Sequence, residues 1–269
     1  MEAKQKWEMT MTPQSFFKQK RIFVAVFLLV FMLVSYLAGK KIEFDFLLIF
    51  EKFNQALNRF VSLYLPPVFK NMGELLSGIW DTFILSIASS IVGSAFAYLA
   101  ALVISTKTTS NKILSYLIRF ITTLVRNIPT SIWAIILLLS FWFGEFLAFL
   151  VMAIGTFGFN ARVFADVFDE ANAHSIEALN AVGATRLQII AQSVFPESWP
   201  SVVSWTLYAI ETNMRDSVVI GMLAGGGIGH IIDMHRNFRR FSELTAAVIL
   251  VVILVLLFDR LSVYIRERL

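Results

Sequence analysis

The chain is 269 residues long, 57% hydrophobic and only 16% charged, with a mean hydropathy of +0.72 and a net charge of +4. A soluble domain carries about 25% charged residues, so this chain has too few polar groups to cover a water-facing surface, and it is too apolar to be disordered. The absence of cysteine excludes disulfide scaffolds, thiolate metal sites and cysteine nucleophiles.

What remains is an all-α, polytopic membrane helix bundle, with six spans of about 20 residues each. The first apolar run, Ile22 to Ala38, is flanked by Lys18, Lys20, Arg21, Lys40 and Lys41. Its length and the poor cleavage site at Tyr36–Gly39 predict a retained span rather than a signal peptide. Phe46 to Leu65 is apolar but is broken at helical intervals by Glu51, Lys52, Asn54, Gln55, Asn58 and Arg59. A charge at the bilayer centre costs about 2.5–3.5 kcal/mol. An amphipathic helix lying in the interface is therefore expected there, ended by Pro66 and Pro67.

The second span runs from Ile79 to Ile104, where Gly93, Ala97 and Ala101 make a stripe of small residues that admits a close neighbour. After the polar loop 105–112, a third span is predicted over Leu114–Phe143. It contains Arg119 and Arg126, and Pro129 breaks or kinks it. The fourth, Phe146–Val167, is interrupted by Gly155 and Gly158. A polar, mostly helical stretch spans Asp169–Glu197. The fifth span, Pro200–Ala224, ends in Gly225-Gly226-Gly227-Ile228-Gly229, and the sixth is Leu244–Leu261.

The glycine cluster lacks the strand and spacing of a nucleotide loop and reads as a tight external turn or gate. His230, Asp233, His235 and the run Arg236–Arg240 read as a solvated external loop; their spacing does not suit a metal. The bias of Lys and Arg places both termini in the cytoplasm. No basic run alternates with aromatics, so the positive charge does not imply nucleic acid. The chain divides into 1–77, comprising a cytoplasmic tail, the first span and the interfacial helix, and 78–269, the transport domain.

Charges inside spans usually face a cavity or the bundle interior. Glu211 and Arg215 are four residues apart, share a helical face and can pair. Arg215 can attract an anionic headgroup with Glu211 holding the guanidinium, or the two can form a structural pair that fixes helix packing. Arg126 poses the same choice: it can line the pathway or satisfy carbonyls freed at Pro129. Asn127, Thr130, Asn213 and Ser217 are the neutral polar candidates beside them, and Asp216 is a further charge in the fifth span.

The stretch Asp169–Glu197 has the character of a helix–turn–helix that could dock in a groove on a soluble partner. Gly183 can take the left-handed turn, Thr185 can cap the second helix, and Glu177 and Arg186 supply polar contacts at the rim. Its Glu177-Ala178-Leu179, followed by Gly183-Ala184 and then Pro196, resembles the coupling loop of bacterial ABC-importer permeases. That pattern is Glu-Ala-Ala, three residues, Gly, nine residues, Ile, one residue, Leu-Pro. Glu177, Ala178, Gly183 and Pro196 fall in register, while Leu179, Ser193 and Phe195 depart from it. Arg126-Asn127-Ile128-Pro129, Ile210–Gly221, the glycine cluster and Phe258–Leu269 are similar to the phosphonate-type permeases (PhnE family).

The resemblance implies a type I importer core in the inner membrane of a bacterium. It implies a homodimer of permeases embedded in lipid, two ABC ATPase subunits at the coupling loop and an external substrate-binding protein. ATP and Mg would sit on the partner ATPase, because this chain has no phosphate loop followed by Lys-Ser/Thr. The implied cargo is a phosphonate or related phosphorus oxyanion; the same machinery serving phosphate, phosphite or an amino acid is the alternative. A stand-alone secondary carrier would need a coupling-ion site. A membrane enzyme would need an acid–base or metal constellation that the sequence does not display.

Overall fold

The computed structural model describes residues 13–42, 46–171 and 173–268. The expected tail carrying Lys4 and Lys6 lies outside them, as do Asn172 and Leu269. Among the described residues there is no strand. The helices are α1 (Pro13–Lys41), α2 (Phe46–Tyr64), α3 (Met72–Ile104), α4 (Lys112–Asn127), α5 (Thr130–Leu138), α6 (Glu145–Asp169), α7 (Ala173–Ala181), α8 (Arg186–Ile189), α9 (Phe195–Ala224), α10 (Gly227–Asn237) and α11 (Phe241–Arg266). A π-helical turn, Ile190–Val194, joins α8 to α9. The described residues fall into two compact units, divided between Val61 and Ser62.

In the first unit, α1 carries the predicted apolar run, with Lys40 and Lys41 in its last turn. Helix α2 presents polar and apolar residues at helical spacing, which makes it amphipathic.

The second unit is organised around α3 and α6. The small residues of α3 decide how close the two can come. A Cβ on Gly93 would meet the Ala153 carbonyl at 2.6 Å and Thr156 Cβ at 2.7 Å, and Ala97 and Ala101 are fully buried. Phe164 and Phe168 of α6 fill the space beside this stripe with Val194 and Val202. Gly93→Leu should force the helices apart at a cost of about 1–3 kcal/mol. The expected result is a clear fall in the yield of monodisperse protein from detergent extracts; full yield would show that the contact does not govern packing.

Among the described residues, four helices are each long and apolar enough to cross a membrane, and counting each of two bent pairs, α4–α5 and the α8–α9 rod with α10, as one span gives up to six. The predicted third span is therefore a corner: α4 and α5 meet at 93°. Ile128, preceding Pro129, is extended (φ −90°, ψ 119°), the conformation that a following proline imposes. Pro129 cannot donate to the Val125 carbonyl one turn back; the Trp133 indole does so instead, at 3.3 Å.

Gly155 and Gly158, expected to interrupt the fourth span, do not. Helix α6 runs unbroken, and both glycines seat the corner on it. A Cβ on Gly155 would strike Thr130 at 2.6 Å, and one on Gly158 would strike Val125 at 2.8 Å and the Arg126 nitrogen at 3.0 Å.

The expected external loop after the fifth span is also corrected. Gly225 does make a left-handed turn (φ 83°), packed on Phe143 where the Gly144 N–H donates to the Ala224 carbonyl at 2.6 Å. The chain then enters helix α10 directly. Ile228, Ile231, Ile232 and His235 are buried there, with Ile228, Ile231 and Ile232 packed against Leu75, Ala247 and Val251. Thr82 Oγ1 accepts from the Ile228 N–H at 2.9 Å, tying this helix to α3. The apolar spacing Ile228, Ile231, Ile232 was the available signal, and the flanking glycines and charges obscured it.

Candidate functional site: a cavity at the helix corner and a docking loop

A cavity of about 240 Å³ opens where α4 breaks into α5. Its wall includes Arg126, Pro129 and Thr130 from the corner, Thr156 and Phe159 from α6, and Tyr208, Thr212, Asn213 and Asp216 from α9. The corner rests on Gly155 and Gly158, near the middle of α6, so the cavity lies at mid-depth of the bundle.

The side chains differ in how free they are. Asn213 is buried, and its Nδ2 donates to Ser90 Oγ at 2.8 Å and Thr156 Oγ1 at 2.9 Å, clasping α9 to α3 and α6. By contrast, Arg126 is exposed and forms no side-chain hydrogen bond or ion pair among the described residues. Because Trp133 takes the carbonyl freed at Pro129, Arg126 is not needed there. Thr212 Oγ1 is buried with no partner among the described residues. A guanidinium, a hydroxyl and the Asp216 carboxylate therefore line one cavity beside the amino end of α5, whose exposed N–H groups favour negative charge.

The structure separates the other sequence candidates. Arg215 and Glu211 pair at 2.5 Å on a different face of α9, where Arg266 also reaches Glu211 at 3.4 Å. Ser217 is buried and donates to the Met214 carbonyl at 2.7 Å, away from the cavity. Asn127 ends α4, exposed, and is not part of the cavity wall. Gly225, Gly226, Gly227 and Gly229 form the α9–α10 corner. Asp216, Thr212 and Tyr208 were not singled out as wall residues from the sequence; their i, i+4, i+8 spacing from Tyr208 puts them on one face of α9.

The predicted docking loop lies on the opposite side from that glycine corner. Helix α7 ends in a Schellman turn: Gly183 is left-handed (φ 79°), its N–H donates to the Asn180 carbonyl at 3.0 Å, and the Ala184 N–H donates to the Leu179 carbonyl at 3.0 Å. Gln188 Oε1 reaches back to accept from the Thr185 N–H at 2.7 Å and from its hydroxyl at 2.9 Å, starting α8. Glu177, Ala178, Gly183 and Pro196 are exposed, with Val182 at 80% and Leu187 at 79%. Those two apolar side chains give the loop a hydrophobic tip between polar flanks. Ser193, a departure from the family pattern, is buried in the π turn.

This loop is fastened to the α3–α4 turn through Asp169, Lys107 and Arg186. Asp169 Oδ1 accepts from Ser105 Oγ (2.7 Å), the Thr106 N–H (2.8 Å) and Thr106 Oγ1 (2.9 Å), and Lys107 donates to the Ala171 carbonyl. Arg186 donates to the Thr109 carbonyl at 2.5 Å.

A bundle with broken spans, a mid-depth cavity and an exposed helix–Gly–helix loop is the architecture of a type I ABC-importer permease subunit. Residues 93–269 match the family described as "Binding-protein-dependent transport system inner membrane component", and the chain belongs to it. It is accordingly a transport subunit and not an enzyme.

Among its relatives is the "Phosphate-import permease protein PhnE" of Mycolicibacterium smegmatis, 27% identical over 205 residues, which are 76% of this chain but 38% of that protein. Another is the "Phosphite transport system permease protein PtxC" of Stutzerimonas stutzeri, 26% identical over 76% of this chain and 74% of that one. In fold, the chain resembles an inward-facing structure of the MetNI methionine ABC transporter, with TM-score 0.66 and 23% identity over 73% of this chain and 96% of that one.

Proposed function

We propose that the chain forms the membrane pathway of an importer for a phosphorus oxyanion such as phosphite, phosphate or a phosphonate. The observation that carries this reading is the unpartnered guanidinium of Arg126 facing a mid-depth cavity beside the amino end of α5. A guanidinium can donate two parallel hydrogen bonds to a tetrahedral oxyanion. Thr212 can add a third, through a hydroxyl that has no partner of its own among the described residues.

Asp216 gives the site its discrimination. A phosphate-type group has a second pKa near 6 and still carries some P–OH at neutral pH. The carboxylate can accept that proton's hydrogen bond, whereas fully ionised sulfate offers only repulsion. Its negative charge also keeps the anion from being held too tightly to leave.

Two copies of the chain pair in a bacterial inner membrane, with both termini and the 169–197 loop in the cytoplasm and lipid around the apolar helices. An external binding protein delivers the anion. Two ABC ATPase subunits, holding ATP and Mg, dock on the exposed loop around Val182, Gly183 and Leu187. Their closure changes the relative stability of two permease states, and the differential affinity of the partners for those states drives the switch.

The test uses the complete complex in liposomes with its ATPase and binding protein. Phosphite, phosphate or methylphosphonate should stimulate ATP hydrolysis and enter the vesicles, and sulfate should do neither. Stimulation by an amino acid instead would transfer the machinery to another cargo.

A further inference from the structure

We infer that the chain holds a second anion station, on the docking-loop side of the cavity, built around Arg266. This rests on the proposed oxyanion cargo.

A second hollow of about 430 Å³ is lined by Phe159, Ser204, Trp205, Tyr208 and Arg266. Phe159 and Tyr208 also line the first cavity, so the two hollows share a wall. Helix α9 runs from the docking loop toward the glycine corner, and Ser204 lies one turn nearer the loop than Tyr208. The second hollow therefore follows the first in the direction of the docking loop. Phe159 packs on Trp205 and Tyr208 with ring centroids 5.9 and 6.1 Å apart. Those rings divide one station from the next.

Two cations beside this hollow share one carboxylate. Arg215 and Arg266 both close on the single carboxylate of Glu211, at 2.5 and 3.4 Å. Among the described residues, neither guanidinium has another carboxylate within salt-bridge reach. Asp216, the next carboxylate along α9, faces the first cavity. Glu211 is thus shared, and Arg266 holds it at the longer distance.

Arg266 is held in place by Ser262, which accepts from its Nη2 at 2.6 Å and its Nε at 3.1 Å. Its Nη1 makes no hydrogen bond among the described residues. The Trp205 indole N–H and the Tyr208 hydroxyl also have no hydrogen-bond partner among the described residues. A positioned cation and two free donors around one hollow are the chemistry of an oxyanion site. Glu211 limits its strength, so the anion passes on rather than staying.

The experiment compares wild-type complex with Arg266→Gln, Arg266→Lys and Glu211→Gln complexes in liposomes, using phosphite, phosphate and methylphosphonate. Arg266→Gln should lower uptake about fivefold or more, and Arg266→Lys should restore part of it because the charge returns without the fork. Glu211→Gln should act with the opposite sign on binding: the purified complex should retain several-fold more labelled anion while turning it over more slowly. Uptake by Arg266→Gln equal to wild type overturns the station. So does a loss that Lys does not relieve and that leaves retention in Glu211→Gln unchanged, because that pattern assigns Arg266 to helix packing. If the wild-type complex carries none of the three anions, the cargo reading fails and the station falls with it. That outcome is distinguished by the wild-type arm alone.

Discussion

Replacing Asp169 by alanine is expected to uncouple the transporter: ATP hydrolysis continues while uptake per ATP falls several-fold. Asp169 closes α6, where a carboxylate opposes the negative end of the helix dipole. It is tolerable there because three donors from Ser105 and Thr106 converge on one oxygen. Charge-assisted bonds are worth about 1.5–3 kcal/mol each when shielded, and less here, since the carboxylate is only half-buried.

Without them, among the described residues, the α3–α4 turn is joined to the loop by hydrogen bonds only through Lys107 and Arg186. A partner pulling on the loop would then move α7 and α8 without carrying α3 and α4 along. Asp169→Asn, which keeps the acceptor but loses the charge, should fall between the two. Hydrogen exchange over residues 105–111 provides an independent reading, with faster exchange in the alanine variant. Unchanged uptake per ATP together with unchanged exchange would show that the clamp transmits nothing.

Removing the Arg126 guanidinium is expected to reduce uptake more than tenfold while the yield of assembled complex stays close to normal. The yield is expected to hold because, among the described residues, no hydrogen bond or ion pair of this side chain is lost. Val125, the residue with the freed carbonyl, is served by Trp133. Arg126→Lys should recover only part of the rate, since an ammonium cannot make the paired contact.

Trp133→Phe is the natural contrast. It removes the indole donor and leaves a carbonyl short of a partner, at a cost of about 1–3 kcal/mol. Its main effect should be on stability, seen as a lower melting temperature in detergent. If Arg126→Ala lowered yield as much as uptake, Arg126 would be part of the scaffold, and the cavity would need another source of anion affinity.

Much of this arrangement was legible from residue type and spacing. The long apolar runs located the helices, the Gly93-Ala97-Ala101 stripe marked a close crossing of α3 and α6, and Gly183 marked the turn of an exposed helix–Gly–helix loop. The errors have a common physical origin. Gly155 and Gly158 read as breaks because glycine weakens an isolated helix, but here each removes a side chain where another backbone must pass. The segment after Gly225 read as loop because its polar residues are evident in sequence, whereas the burial of Ile228, Ile231 and Ile232 depends on α3 and α11.

The division of Arg126 and Asp216 from Glu211 and Arg215 was likewise out of reach. Five residues of helix turn a side chain through more than a full revolution, but which of the two faces meets a cavity is decided by neighbouring helices. Trp133, which resolves the role of Arg126, is an ordinary aromatic in an apolar run until the corner brings it under Val125.

From Arg186 to Ala224 the chain is one uninterrupted helical rod, with the π turn included in it. Thr212 lies 26 residues along it from Arg186, roughly 39 Å at the usual rise. The π turn and Pro200, where such a rod bends most readily, both lie on the loop side of Thr212. A displacement applied at the loop end passes along the rod toward the wall of the cavity, and the Gly225 elbow lies beyond it. The tip and the cavity are thus two ends of a single lever, and the glycines after it mark its fulcrum.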